Sequence, residues 1–240
     1  MSFHPDIYCI MITGKNEDRY KYVEIALRNF NMQTYSNKHL IIINHGQRSC
    51  IARTFTNVTE VMFDKTNFTL GDMRNYSLDL VPLNAIWTIW DDDDWRHPKY
   101  LEMLYQHMSS KKADALFFQN RLDINLRNGF VYRAKFEKGM PFVMAKKCEL
   151  IQYLPKESLE DIRLHNDFEL YEKKITVIAN NPRWYIRTIH GNNTSLYVDN
   201  GKKEIVHYSP ESLYHEFDAT LGEKSYADKI IETYFRNVIH

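Results

Sequence analysis

Four consecutive aspartates, Asp91–Asp94, follow directly on an apolar run, Ala85–Trp90, and Trp95 closes the acidic stretch. The run calls for burial, whereas four adjacent carboxylates repel one another and are costly beside aromatic rings unless a cation or solvent compensates. Both demands are met when Ala85–Trp90 is a core strand and the aspartates stand at its end. Two other runs of strand length have the same form: Tyr8–Thr13 gives way to Gly14-Lys15-Asn16, and His39–Asn44 to His45-Gly46. Val58–Phe63 reads as a further strand.

Helical patterns separate these runs. Val23, Ala26, Leu27 and Phe30 recur at the spacing of one helix face, and Gly71–Val81 and Lys99–Ser109 read as helices. Strands alternating with helices predict a mostly parallel central sheet covered on both faces, with ligands beyond the carboxyl ends of the strands. The residues after Thr13, Asn44 and Trp90 would all open on that edge. Further along, Ala115–Gln119 is strand-like and Asn128-Gly129 marks a turn between Leu122 and Tyr132. Lys147–Tyr153, Asp167–Lys174 and Tyr226–Asn237 read as helices. No internal repeat, low-complexity tract or interdomain linker interrupts the chain.

A chain of 240 residues with 44% hydrophobic content can bury a sizeable core. Lys and Arg balance Asp and Glu at 31 each, so any charge that matters is local. Cys9, Cys50 and Cys148 lack the paired spacing of zinc sites or disulfide frameworks, and no stretch has the leader or spanning pattern. These features lead to the expectation of a soluble protein in the cytoplasm, or the host cytoplasm if virus-encoded.

Clustered carboxylates at a strand end suit a hard divalent ion, since Mg²⁺ or Mn²⁺ is typically held by one or two carboxylates together with substrate phosphates. The alternative is an acidic, solvated turn. An EF-hand loop is disfavoured, because the sixth position lacks glycine and the twelfth lacks glutamate.

Several further segments resemble family 2 glycosyltransferases, in the same order and at similar spacing, over about residues 6–195. Ile12-Thr13-Gly14-Lys15-Asn16, then Arg19, Gln33-Thr34-Tyr35 and Leu40–Asn44 are similar to the opening strand, loop and helix of that family. Leu70-Gly71-Asp72-Met73-Arg74-Asn75 resembles its Gly-x-x-Arg-Asn segment, and Trp90–Trp95 with Pro98 its Asp-x-Asp motif. His165-Asn166-Asp167-Phe168-Glu169-Leu170 resembles the Glu-Asp-x-x-Leu segment, and His190-Gly191-Asn192-Asn193-Thr194-Ser195 a closing His-Gly-Gly-Asn-Thr-Ser motif.

The resemblance implies a GT-A fold, an α/β Rossmann-like sandwich. It would comprise a catalytic domain over residues 1–205, with a nucleotide-sugar half to about residue 97 and an acceptor half beyond it, and a C-terminal helical extension over 206–240. It implies Mn²⁺ or Mg²⁺ held by Asp91, Asp93 and His190, and a nucleoside-diphosphate sugar as donor. Thr13, Asn16, Arg19, Asn44, Gly71, Arg74 and Asp91 would contact that donor. Asp167 would act as the general base of an inverting transfer. Two departures stand out: Asn44-His45 replaces an acidic pair that reads base and ribose, and Asn166 replaces the glutamate before the base.

Structural alternatives accompany these roles. Asp92 and Asp94 can cap a helix, Asp167 can be a helix-start carboxylate, His190 a satisfied core histidine and Arg74 a salt-bridge partner. Aromatics between Phe117 and Tyr185, Trp184 among them, can stack on a sugar but more often fill a core. A C-terminal stripe, Tyr226, Ile230, Tyr234 and Val238, can dock on its own domain, on a second copy to form a homodimer, or on a membrane. A glycan is the expected acceptor, a hydroxylated DNA base the alternative. A sugar nucleotidyltransferase is disfavoured for want of a Gly-rich, Arg-containing loop after the first strand. A non-catalytic nucleotide-sugar-binding module is the reading of another class.

Overall fold

The computed structural model describes residues 4–14, 17–52, 55–64, 66–126, 131–135, 143–157, 160–179, 184–190, 214–215, 226 and 228–236. In chain order the elements are β1 (Ile7–Thr13), α1 (Tyr20–Asn31), β2 (Lys38–Asn44), β3 (Val58–Met62), α2 (Leu70–Asp79), β4 (Ile86–Ile89), β5 (Trp95–Arg96) and α3 (Tyr100–Ser110). Then come β6 (Ala115–Phe118), β7 (Asn120–Asn125), β8 (Val131–Lys135), β9 (Val143–Lys146), α4 (Leu164–Leu170), β10 (Ile175–Ile178), β11 (Tyr185–Ile189) and β12 (Tyr214–His215).

Seven strands form the central sheet in the order β10-β6-β9-β4-β1-β2-β3, parallel except for β9. The apolar runs of the sequence become these strands because both faces are covered: all four residues of β4 and the last five of β2 are buried. The register aligns Thr13 with Asn44 and Ile10 with Ile89, so the ends of β1, β2 and β4 meet on one edge, with the aspartates level with Thr13. Tyr22, Val23, Ile25, Ala26, Leu27 and Phe30 give α1 its buried face.

A second sheet, β12-β8-β7-β11-β5, stands beside the first. Its strand β5 begins one residue after Asp94 and pairs antiparallel with β11, Ile186 opposite Trp95 and Tyr185 opposite Arg96. The four aspartates therefore occupy the link between the two sheets. The Asn128-Gly129 turn lies outside the described residues, but β7 and β8 on either side pair antiparallel, as a hairpin requires.

Two helical expectations are revised. Lys147–Tyr153 is a turn followed by extended chain, because Asn75 of α2 captures the backbone of Tyr153 from both sides, N–H to Oδ1 at 2.7 Å and Nδ2 to carbonyl at 2.9 Å. The helix expected from Asp167 begins at Leu164 and ends at Leu170, with Glu172 turning the chain at φ 53°. Asp167 is thus inside the helix, its own N–H bonded to the carbonyl of Arg163. At the C-terminus the expected helix is present: residues 226 and 228–230 are α-helical and the chain continues as a π-helical turn, Ile231–Phe235. Ile230 and Phe235 are buried with Ile25, Trp95, Leu122, Ile124 and Ile186, and the rings of Tyr226 and Tyr234 meet Trp95 at 5.9 and 6.1 Å. Of the C-terminal stripe, Tyr226, Ile230 and Tyr234 dock on their own chain, and Val238 lies outside the described residues. Among the described residues no helix is long and apolar enough to cross a membrane.

Candidate functional site

Each aspartate of the cluster has its own surroundings. Asp92 and Asp94 are buried, not solvated turn residues. Asp92 accepts from Thr13 Oγ1 at 2.7 Å and from Arg19, through Nε at 3.1 Å and through a close Nη2 contact. Asp93 accepts from the same Nη2 at 2.9 Å and lies 3.0 Å from His190 Nε2. Asp94 accepts from Tyr185 Oη at 2.6 Å and from the Thr188 N–H at 3.0 Å, tying the link to β11. Asp91 alone is partly open, its side chain 31% exposed, with Arg74 Nη2 3.5 Å away.

Protonation follows from this arrangement. Burial works to raise Asp93, but Arg19 and His190 hold it well below the usual carboxylate range. Burial and the charge of Asp93 push Asp94 up to about 8, and the same causes, opposed by Arg19, bring Asp92 to about 6. Of the three buried aspartates, Asp93 is the one held most firmly ionised.

A second acidic group faces the first across Arg74. The Arg74 guanidinium reaches Glu160 Oε1 at 3.2 Å and lies over the ring of Tyr153 at 5.2 Å. Asp161 interacts electrostatically with Arg74, Asp91 and Arg121. Burial raises Glu160 to about 7, with Asp161 and Asp91 adding to it and Arg74 opposing, and burial likewise raises Asp161. Arg74 Nε and Tyr153 Oη are buried without a hydrogen-bond partner. Gly71 brings α2 against the loop that carries Glu160: a Cβ there would stand 1.7 Å from the Leu154 carbonyl oxygen.

Of the residues singled out from sequence, Thr13, Arg19, Asp93 and His190 converge on one cluster, while Arg74 and Asp91 connect it to the second. His190 is stacked on Tyr22 with ring centroids 4.4 Å apart. Asn16 and the stretch after His190 lie outside the described residues. Asn44 is fully buried and its carboxamide is spent on the protein: it accepts from Tyr20 Oη and the Gly46 N–H, and donates to the Arg48 carbonyl and Glu60. It shapes the loop after β2 and offers no free group to a ligand. Asp167 does not join either acidic group; its carboxylate pairs with Arg163 at 3.3 Å. Sequence reading passed over Glu160-Asp161-Ile162-Arg163-Leu164, which spells Glu-Asp-x-x-Leu in full.

Among the described residues no group of three His, Cys, Asp or Glu side chains forms a ready metal set. Two of the expected donors nevertheless fit one ion. Ligand atoms at right angles on an octahedral ion, each at about 2.1 Å, stand about 3 Å apart. Asp93 Oδ2 and His190 Nε2 have that separation, 3.0 Å.

Residues 9–177 match the model of glycosyl transferase family 2, and the chain belongs to that family. No curated protein sequence matches it. Among solved structures, residues 1–349 of S. aureus TarS in complex with UDP-GlcNAc align at 15% identity with a TM-score of 0.61, over 80% of this chain and 62% of that one. A Pyrobaculum calidifontis mannosyltransferase in complex with GDP-Man and Mn²⁺ aligns at 12% identity with a TM-score of 0.56, over 81% and 60%. The chain spans about three fifths of the length of these proteins, and at such identities the likeness establishes the GT-A fold.

Proposed function

We propose that the chain transfers a sugar from a nucleoside-diphosphate donor to an acceptor hydroxyl with inversion, using a divalent ion. The observation that carries this reading is the junction after β4. There Asp91 and Asp93 stand beyond the carboxyl end of β4, His190 is within 3.0 Å of Asp93, and two guanidinium groups flank them. Mn²⁺ or Mg²⁺ held by Asp93, His190 and Asp91 would neutralise charge growing on the departing diphosphate. Arg19 and Arg74 present planar forks suited to phosphate oxygens, and the open side of Asp91 adds a polar contact for the nucleotide. Residues 1–97 would hold the donor and the second sheet would face the acceptor.

For the general base, Asp161 is favoured over Asp167. It lies within electrostatic reach of Asp91 and Arg74, whereas Asp167 is committed to Arg163. A carboxylate raised in proton affinity by burial accepts a hydroxyl proton more readily. The acceptor is read as a glycan; a hydroxylated DNA base is the second reading, and salt-sensitive duplex binding would favour it. UDP- and GDP-sugars are the first donors to try, because the two solved relatives are complexes with one of each.

The test is donor hydrolysis with a panel of UDP-, GDP- and dTDP-sugars and Mn²⁺ or Mg²⁺, with EDTA and Asp93→Ala as controls. Release of one nucleoside diphosphate, abolished by both controls, is the expected result. Absence of release together with absence of metal-dependent donor binding in calorimetry would overturn the reading in favour of a non-catalytic module.

A further inference from the structure

Arg19 stands where sequence reasoning expects a divalent ion. Its guanidinium bridges Asp92 and Asp93, with Nε on Asp92 at 3.1 Å and Nη2 shared between Asp92 and Asp93. We propose that Arg19 is a built-in counter-cation of the aspartate cluster, which bars Mn²⁺ or Mg²⁺ from Asp93 until a nucleoside diphosphate draws its guanidinium away. The proposal rests on the reading of Asp93 as a metal ligand and adds an order of events to it.

Three observations support the exchange. First, Asp93 Oδ2 already faces a cation, since Arg19 Nη2 stands 2.9 Å from it. A guanidinium and a divalent ion cannot both press on one carboxylate oxygen, since like charges a few ångströms apart in a buried site repel strongly. Second, the arginine is the movable partner. The side chains of Asp92 and Asp93 are 1% and 9% exposed and fixed by Thr13 and His190, and Thr188 holds the Asp93 carbonyl. Arg19, 16% exposed, sits at the rim, where a 3₁₀ turn, Glu17–Arg19, meets α1. Third, the guanidinium has a destination. It cannot leave by losing its proton, so it needs another anion, and its planar fork matches two phosphate oxygens as well as it matches two carboxylates. Metal alone must therefore compete with Arg19, whereas metal arriving with a diphosphate need not.

The proposal makes a prediction about metal binding in the absence of any reaction. Titration of the metal-free protein with MnCl₂, followed by calorimetry or by the electron paramagnetic resonance of free Mn²⁺, should show weak binding for the wild type. Arg19→Gln should bind Mn²⁺ alone about tenfold more tightly, the scale of removing one competing charge contact. Arg19→Lys, which keeps the charge but loses the fork, should fall between, and it carries the test if Arg19→Gln fails to fold. Adding UDP or GDP should tighten Mn²⁺ binding by the wild type and have little effect on Arg19→Gln. If both variants bind Mn²⁺ no more tightly than the wild type while the wild type binds it well, the counter-cation is refuted and the metal site stands. If no form binds Mn²⁺, with or without nucleotide, the metal reading fails and the proposal falls with it.

Discussion

The two acidic groups at the sheet edge are built from the same residue types and differ in how their charge is balanced. Around Asp92–Asp94 every carboxylate has named, close partners: Thr13 and Arg19, then Arg19 and His190, then Tyr185 and the Thr188 N–H. Around Arg74, one guanidinium serves Glu160 and Asp91 and acts on Asp161 together with Arg121, and buried polar atoms on Arg74 and Tyr153 stay unpaired. In the first group Arg19 and His190 hold Asp93 firmly ionised, whereas burial raises Asp92 and Asp94. In the second, burial raises Glu160 and Asp161 with Arg74 opposing, and a carboxylate of raised proton affinity accepts a proton more readily while it is ionised. In the proposed mechanism the first group binds the ion and the second takes the proton.

The strongest test of that division is Asp93→Ala, for which a loss of donor turnover of at least about a thousandfold is expected, measured as nucleoside diphosphate release. Retention of more than a tenth of the activity would remove Asp93 from the metal site. Next comes Asp161→Asn, expected to lower kcat by about 10²–10⁴ with little change in donor KM, the range for loss of a general base. Asp167→Asn should stay within about threefold of wild type, as befits a surface ion pair. A reversed pattern in this pair would restore Asp167 as the base.

Gly71→Ala perturbs the second group without touching the first. Its new Cβ would collide with the Leu154 carbonyl and displace the loop that carries Glu160. Thermal or denaturant unfolding should report a loss of about 3 kcal/mol, the scale of overpacking against backbone. Mn²⁺ affinity at Asp93 should be retained; if it fell in step with stability, the two groups would be one coupled site.

What the sequence disclosed follows the same division. Strands β1, β2 and β4 and the acidic junction were legible within a residue or two, because a strand buried on both faces is a continuous apolar run and its end is marked by an abrupt change of polarity. The role of Arg19 was not legible, because it depends on contacts across more than seventy positions. Strand β5, two residues long, exists through its pairing with β11 and has no pattern of its own. Glu160-Asp161 was passed over because it lies in the irregular turn before α4, where periodicity gives no guidance. Asp167, on a helical pattern and followed by Phe168-Glu169-Leu170, drew the attention instead.

A pH dependence of stability is also expected to originate in the second group. Burial, together with Asp161 and Asp91, raises Glu160 from its ordinary value of 4.5 to about 7, so between those values the folded chain keeps a proton that the unfolded chain releases. Stability from this group is complete below about pH 4.5, falls as pH rises toward 7, and is constant above. At about 1.4 kcal/mol per unit, the rise from 4.5 to about 7 makes the full change about 3 to 4 kcal/mol. Glu160→Gln removes the titrating group while keeping the shape, so its stability should be flatter over that window than that of the wild type. Parallel profiles for the two proteins would mean that Arg74 keeps Glu160 ionised throughout. In that case the second group would be as well balanced as the first, and the contrast that selects Asp161 as base would lose its electrostatic support.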